Sequence, residues 1–206
     1  METEFFKIFD ENKNEIGTAS REEVHRLGYW HETFHCWLVE KSPKKTYLYL
    51  QLRSDSKKDY PSLLDITAAG HILADETPAD GVREVKEEIG IDVTLNELIS
   101  LGLIAYDVTH GALIDRELAH TYLYINEFSF DSFTLQEEEV AGMVKVEWED
   151  FVQLWKNEQL DIPASGFKLN AAGLKEEWKT SVTKEQFVPH PTAFYHTVIQ
   201  RIQQQL

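Results

Sequence analysis

The 206-residue chain has one cysteine, Cys36, so no internal disulfide can form. A secreted scaffold held by disulfides is thereby excluded, and a reducing cytoplasm is the natural setting. Basic residues are scarce: 20 Lys and Arg stand against 36 Asp and Glu, a formal net charge of −16. A binder of nucleic-acid polymers needs a basic footprint, which this composition does not supply. Small anionic substrates stay compatible with it, because divalent cations can carry the positive charge. No apolar run approaches the roughly 18 residues of a membrane span. The start, Met1-Glu2-Thr3-Glu4, is acidic and unlike a signal peptide. Internal repeats, low-complexity tracts and long linkers are also missing. What is present is an ordinary globular mixture, 42% hydrophobic and 12% aromatic, in a length that suits one domain with extensions.

Periodicity sketches the elements. Residues 4–9 alternate loosely and are rich in Phe and Ile; with the turn cluster at 10–14 and Glu15-Ile16-Gly17 they predict a hairpin. Residues 33–39, 46–52, 98–106, 118–125 and 143–148 read as strands. Residues 148–159 and 190–206 read as helices, the latter with Phe194, Val198 and Ile202 on one face. Strands do not alternate regularly with helices, so an α+β fold with a mixed sheet is expected. The division is a catalytic domain over 1–160, including the N-terminal hairpin, and a C-terminal helical extension over 161–206 packed on it.

One stretch carries chemistry: residues 70–91, from Gly70 to Ile91. Thr77 suits an N-cap, Pro78 the first helical position, Asp80 the acid of a capping box, and Gly90 the C-terminal stop. On the helix so bounded, Glu84, Glu87 and Glu88 share one face, joined by Asp80, while Val82, Val85 and Ile89 share the other. Like charges at this spacing cost helix stability. A hard cation such as Mg²⁺ compensates, since it takes carboxylate oxygens and keeps positions for water and phosphate. The plainer alternative is a solvated acidic face.

This segment resembles the Nudix box, G-x5-E-x7-R-E-U-x-E-E-x-G-U with U aliphatic. Arg83-Glu84-Val85-Lys86-Glu87-Glu88-Ile89-Gly90-Ile91 matches its second half throughout, and Gly70 and Glu76 match its start; six residues separate Glu76 from Arg83 instead of seven. The resemblance implies an α/β/α sandwich with a mixed sheet. It implies an Mg²⁺- or Mn²⁺-dependent pyrophosphohydrolase acting on a small diphosphate, of the kind nucleoside diphosphate linked to X. By position, Glu84, Glu87 and Glu88 become metal ligands together with the carbonyl of Gly70, and Arg83 orients the glutamates. The general base is Glu84 or Glu87, or a distant carboxylate from the 137–139 run, Glu138 or Glu139.

Outside the box, Arg21, His25, Trp30-His31 and Tyr60-Pro61 through Ala69-Gly70-His71 resemble the branch related to isopentenyl-diphosphate isomerase. In that enzyme two N-terminal histidines and the histidine after the box glycine bind a metal. His25, His31 and His71 are the counterparts by position. The isomerase's catalytic cysteine position is Ala69 here, which can neither give nor take a proton. Hydrolysis is therefore favoured over isomerisation, and both over an idle nucleotide-binding domain, which would not need the intact glutamates. His31 and His71, with Arg53 after a strand, are candidate substrate contacts. Asp115-Arg116-Glu117 and His120 either line the cleft or alternate outward. The segment 187–191 is read as a rigid entry to the last helix, without chemistry. The N-terminal aromatic hairpin offers a surface for a homodimer.

Overall fold

The computed structural model describes residues 4–111, 113–125 and 129–206. Among these residues, eleven strands join in one mixed sheet. The first two, β1 (Phe5–Phe9) and β2 (Glu15–Ser20), form the expected antiparallel hairpin. A short helix, α1 (Arg21–Leu27), follows, capped by a reciprocal Ser20–Glu23 box and stopped by Gly28 at φ 70°. The sheet is organised around β3 (Trp30–Lys41). Its first half pairs antiparallel with β6 (Ala68–His71), its second half with β4 (Thr46–Arg53). Along its other edge runs β8 (Leu113–Ile125), parallel to it, with β7 (Ile99–His110) beyond. The short β5 (Leu64–Asp65) pairs with β4, which also pairs with β9 (Val140–Glu147).

The period-two alternation of β3 divides the core. Phe34, Cys36 and Leu38 face one layer with Val85 and Ile89 of helix α2 (Arg83–Ile89). Trp37 and Val39 face the other layer with helices α3 (Trp148–Trp155) and α4 (Thr192–Gln203). Helices thus cover both faces, and the α+β class with a mixed sheet holds. Trp155 and Tyr195 stack with ring centres 3.5 Å apart, tying α3 to α4. Cys36 is fully buried and burial pushes its thiol far up, which makes it a core residue.

The expected helical extension over 161–206 is helical only at its end. Its first half is a hairpin, β10 (Asp161–Leu169) and β11 (Lys175–Thr183), that extends the sheet from β9. Gly142 and Gly166 make the β9–β10 contact: a Cβ on Gly166 would lie 2.0 Å from the carbonyl oxygen of Met143, and one on Gly142 2.4 Å from that of Phe167. The box helix is shorter than the caps suggest. Thr77 bonds Asp80 through both its amide and hydroxyl, at 2.8 and 2.7 Å. A 3₁₀ turn, Asp80–Val82, then leads into α2, with Gly81 lying against Phe34 of β3. Gly90 at φ 74° ends the helix as expected. Among the described residues, no helix is long and apolar enough to cross a membrane.

Candidate active site

A polar cleft of about 470 Å³ opens where β3, β6 and β8 meet α1 and α2. The same alternation that builds the core builds this cleft. On β3 the odd positions that become Trp37 and Val39 in the core are Thr33 and His35 at the cleft, preceded by His31, which is fully buried and not among the lining residues. On β8 the face carrying Ala119 and Leu123 carries Asp115 and Glu117 earlier. His120, on the opposite face, bonds Glu32 at 2.8 Å and is not among the lining residues.

Along one wall lies α2. Glu84, Glu87 and Glu88 all line the cleft, as does Gly70. Arg83 binds Glu76 with two nitrogens (2.6 and 3.0 Å), Glu84 at 2.5 Å and Glu87 at 2.9 Å. Glu76 therefore keeps its contact with Arg83 across the shortened junction, and a bond from Leu73 N at 2.8 Å fixes its carboxylate. Glu88, unlike its exposed neighbour Glu87, is 6% exposed; it accepts from Ala69 N at 2.9 Å and from Gln51 Nε2 at 3.3 Å. Burial, reinforced by Glu87, pushes Glu84 up to about 7 against the pull of Arg83. Burial beside Glu84 pushes Glu88 well above the carboxylate range. Gly70 is required here: a Cβ would lie 2.2 Å from the Glu84 carboxylate. Two desolvated carboxylates and a third at the rim form a donor set that fits a hard divalent cation.

The other wall gathers histidines. His25 of α1, His31 of β3 and His71 of β6 stand with ring centres 5.1–5.4 Å apart. One ligating atom from each lies within 4.8 Å of the others, and His31, Asp115 and Glu117 meet the same limit. Burial lowers all three imidazoles, His31 to about 4 and His71 well below its usual value, so they are neutral donors. His31 Nε2, His71 Nε2 and Asp115 Oδ1 are buried without a hydrogen-bond partner, which costs free energy unless a ligand meets them. Glu117 is held by three donors on Oε2: Tyr106 Oη at 2.6 Å, Thr33 Oγ1 at 2.8 Å and His35 at 3.0 Å. Burial opposes its ionisation, but the His35 bond and the neighbouring histidines hold it well below the usual range, while burial and its charge push Asp115 well above. Imidazoles with carboxylates suit a transition metal or Zn²⁺.

The remaining expectations divide. His31 and His71 lie together, but inside the metal-type cluster. Arg53 lines the cleft with its guanidinium engaged by Asp65 (2.8 Å) and by the carbonyls of Asp59 and Tyr60 (2.9–3.3 Å), so it braces the 59–65 segment. Glu139 lines the cleft, paired with Lys57; Glu138 is exposed and is not among the lining residues. Glu88 belongs to the buried interior, where helix periodicity alone puts it on a solvated face. The sequence reading missed His190, which lines the cleft and bonds Asp65 at 3.2 Å. It also left open Asp115 and Glu117, whose two-residue spacing ahead of Ala119 was the available signal.

Comparison with known proteins agrees with this architecture. Residues 29–168 match the NUDIX domain. An uncharacterized Nudix hydrolase of Clostridium acetobutylicum is 44% identical over 98% of this chain and 98% of its own length. An isopentenyl-diphosphate Delta-isomerase of Corynebacterium diphtheriae is 28% identical over 71% of this chain and 80% of its own. The crystal structure of DR0079 from Deinococcus radiodurans shares the fold, with TM-score 0.54, 18% identity, and coverage of 73% of this chain and 88% of that one. With the box glutamates, their arginine and the strand–loop–helix that carries them in place, the chain belongs to the Nudix hydrolase family.

Proposed function

We propose that the cleft hydrolyses a diphosphate linkage in a small substrate of the type nucleoside diphosphate linked to X, with Mg²⁺ or Mn²⁺ as cofactor. The observation that carries this reading is the α2 wall: Glu84 and Glu88 desolvated side by side, with Glu87 at the rim. Glu84, Glu87 and Glu88 would hold the cation, which when bound offsets charge on the phosphate oxygens and acidifies a water. Arg83 is consumed in orienting Glu84 and Glu87, so its work is positional. Glu76 holds Arg83 in turn. Lys57, paired with Glu139, and Arg21, paired with Glu4, are cations at the cleft able to turn from their carboxylates to a phosphate.

A second reading is favoured by the histidine wall. What supports it is the closeness of His25, His31 and His71, the three histidines that the isomerase resemblance implies as metal ligands. Ala69 lines the cleft where the isomerase reaction needs a proton-transferring cysteine, which argues against isomerisation. One assay separates the two. Purified protein is offered nucleoside di- and triphosphates, nucleoside-diphosphate sugars, dinucleotide polyphosphates and isopentenyl diphosphate with Mg²⁺ and then Mn²⁺. Mass and phosphate release are expected to report metal-dependent cleavage of a diphosphate. Conversion of isopentenyl diphosphate to its isomer without phosphate release would replace the hydrolase reading. Glu87→Gln is expected to lower turnover by about 100-fold or more with an unchanged melting temperature, because Glu87 lies at the rim.

A further inference from the structure

His190 comes from outside the segment that matches the domain family, residues 29–168. The chain before it is strapped to the sheet: Phe187 bridges Leu64 of β5, and Val188 N bonds the Leu64 carbonyl at 2.9 Å. This strap carries the histidine into the cleft. Its ring is fixed from several sides. Tyr106 of β7 meets it edge to face at 5.3 Å, Phe194 of α4 lies 4.8 Å away and Tyr195 5.8 Å. Nε2 reaches Asp65 Oδ1 at 3.2 Å.

Asp65 is built for that contact. Its carboxylate is buried, takes Arg53 at 2.8 Å on Oδ2 and the Ile66 amide at 2.8 Å on Oδ1. Burial opposes its charge, yet the His190 bond and the Arg53 guanidinium hold it well below the carboxylate range. An ionised carboxylate only accepts, so Nε2 must carry the proton. With that proton on Nε2, Nδ1 is the nitrogen left to take up or give a proton, and it has no hydrogen-bond partner among the described residues. A cleft-lining histidine held at one ring nitrogen by a buried aspartate and without a partner at the other has the arrangement of a general base and its orienting group.

Most other carboxylates lining the cleft have a role or a partner already, Glu4 with Arg21 among them, while Asp59 meets Arg53 through its backbone carbonyl. Glu84, Glu87 and Glu88 form the cation ridge, Glu139 is paired with Lys57, and Glu117 and Asp115 face the histidine cluster. The pair is also near the ridge. Asp65 lies opposite Gln51 in the β4–β5 pairing, and Gln51 bonds Glu88.

We propose that His190 is a catalytic residue that takes the proton of the attacking water, with Asp65 as its positioning residue; this rests on the hydrolase reading above. The water's O–H bond breaks toward Nδ1 as its oxygen bonds to phosphorus. The bridging P–O bond breaks and its electron pair leaves with the departing phosphate. The imidazolium then returns its proton to solvent.

The test uses the panel substrate turned over best by the full-length wild type with Mg²⁺. His190→Gln is expected to lower kcat by about 100-fold or more, with KM within about twofold. Its affinity for methylenediphosphonate with Mg²⁺ and its melting temperature stay at the wild-type values. His190→Ala is expected to recover part of the lost rate in added imidazole, which a structural strut would not do. Asp65→Asn lowers kcat in the same direction, unrescued by imidazole. An undiminished kcat in His190→Gln would overturn the proposal, and so would a raised KM with kcat retained, the mark of a binding contact. A lost rate that follows a lowered melting temperature and ignores imidazole would overturn it too. Silence of the wild type across the panel overturns the hydrolase reading itself, and is told apart because the parent enzyme fails before any variant does.

Discussion

A single missing carbon decides the geometry of the α2 wall. The Glu84 carboxylate occupies the space that a Cβ on residue 70 would fill, at 2.2 Å. Because the colliding atoms are the far end of a flexible side chain, Gly70→Ala is expected to fold with a nearly unchanged melting temperature. Displacement of Glu84 should still weaken Mg²⁺ binding and turnover by about 10- to 100-fold, as read by calorimetry and kinetics. A variant that keeps wild-type Mg²⁺ affinity would show that Glu84 does not reach the cation. The same carboxylate sets a pH dependence. Its pKa is raised in the fold, to about 7, from the unfolded value of 4.5. A raised acid binds its proton more tightly when folded, so this stability is complete below pH 4.5 and is lost as pH climbs through about 7. In EDTA the melting temperature should fall between pH 5 and 8, and Glu84→Gln should flatten the slope. The box residues were legible because helical spacing is local: positions 83, 84, 87 and 88 fix their own neighbourhood. His190 was not, since its partner Asp65 lies 125 residues away and nothing local marks the pair.

Elements were legible where one face is apolar and the other polar. The odd-even division of β3 and the Phe194, Val198 and Ile202 face of α4 were readable for that reason. The hairpin β10–β11 fails that criterion. Its outer strand is largely exposed: it opens Lys175-Glu176-Glu177 and gives the core Trp178 and Val182. It exists through pairing with β9, a nonlocal partner that propensity does not announce. What admits that partner is glycine. Gly166 faces the Met143 carbonyl, where a Cβ would sit 2.0 Å from a backbone atom that cannot rotate away. Gly166→Ala should therefore cost about 1–3 kcal/mol or more, read as a lowered urea midpoint. An unchanged midpoint would show that the β9–β10 pairing can part without loss. The opposite change applies in the loop before β5, where Ser62 sits at φ 61°. Ser62→Gly relieves left-handed strain of about 1 kcal/mol and should raise stability, partly offset by the extra freedom of the unfolded chain.

At the scale of the whole molecule, the cleft is where separately encoded parts meet. His25, His31 and His71, with Asp115 and Glu117, come from α1, β3, β6 and β8; the glutamate ridge comes from α2. A cation held by His25, His31 and His71 from three elements is bound by the native state and hardly by the unfolded chain, so it stabilises by mass action. Neutral imidazoles and carboxylate ridge differ in softness, so the two walls should respond to different ions. Mg²⁺ is expected to raise the melting temperature through the ridge, and Mn²⁺ or Zn²⁺ added to Mg²⁺-saturated protein should raise it again through the histidines. At a hundredfold excess over Kd each increment is about 2.7 kcal/mol, or roughly 5–10 °C for a domain of this size. The net charge of −16 would let any cation help by screening, so the titration belongs in 0.15 M NaCl, where the Debye length is about 8 Å. His25 is the least buried of the three histidines, and His25→Gln should leave the metal-free melting temperature in place. In that variant the Mg²⁺ increment should survive and the second increment should shrink. A second increment of full size would mean that the soft ion also binds the ridge, and the three histidines would then owe their closeness to packing around Phe6, which stacks on His71 at 4.6 Å.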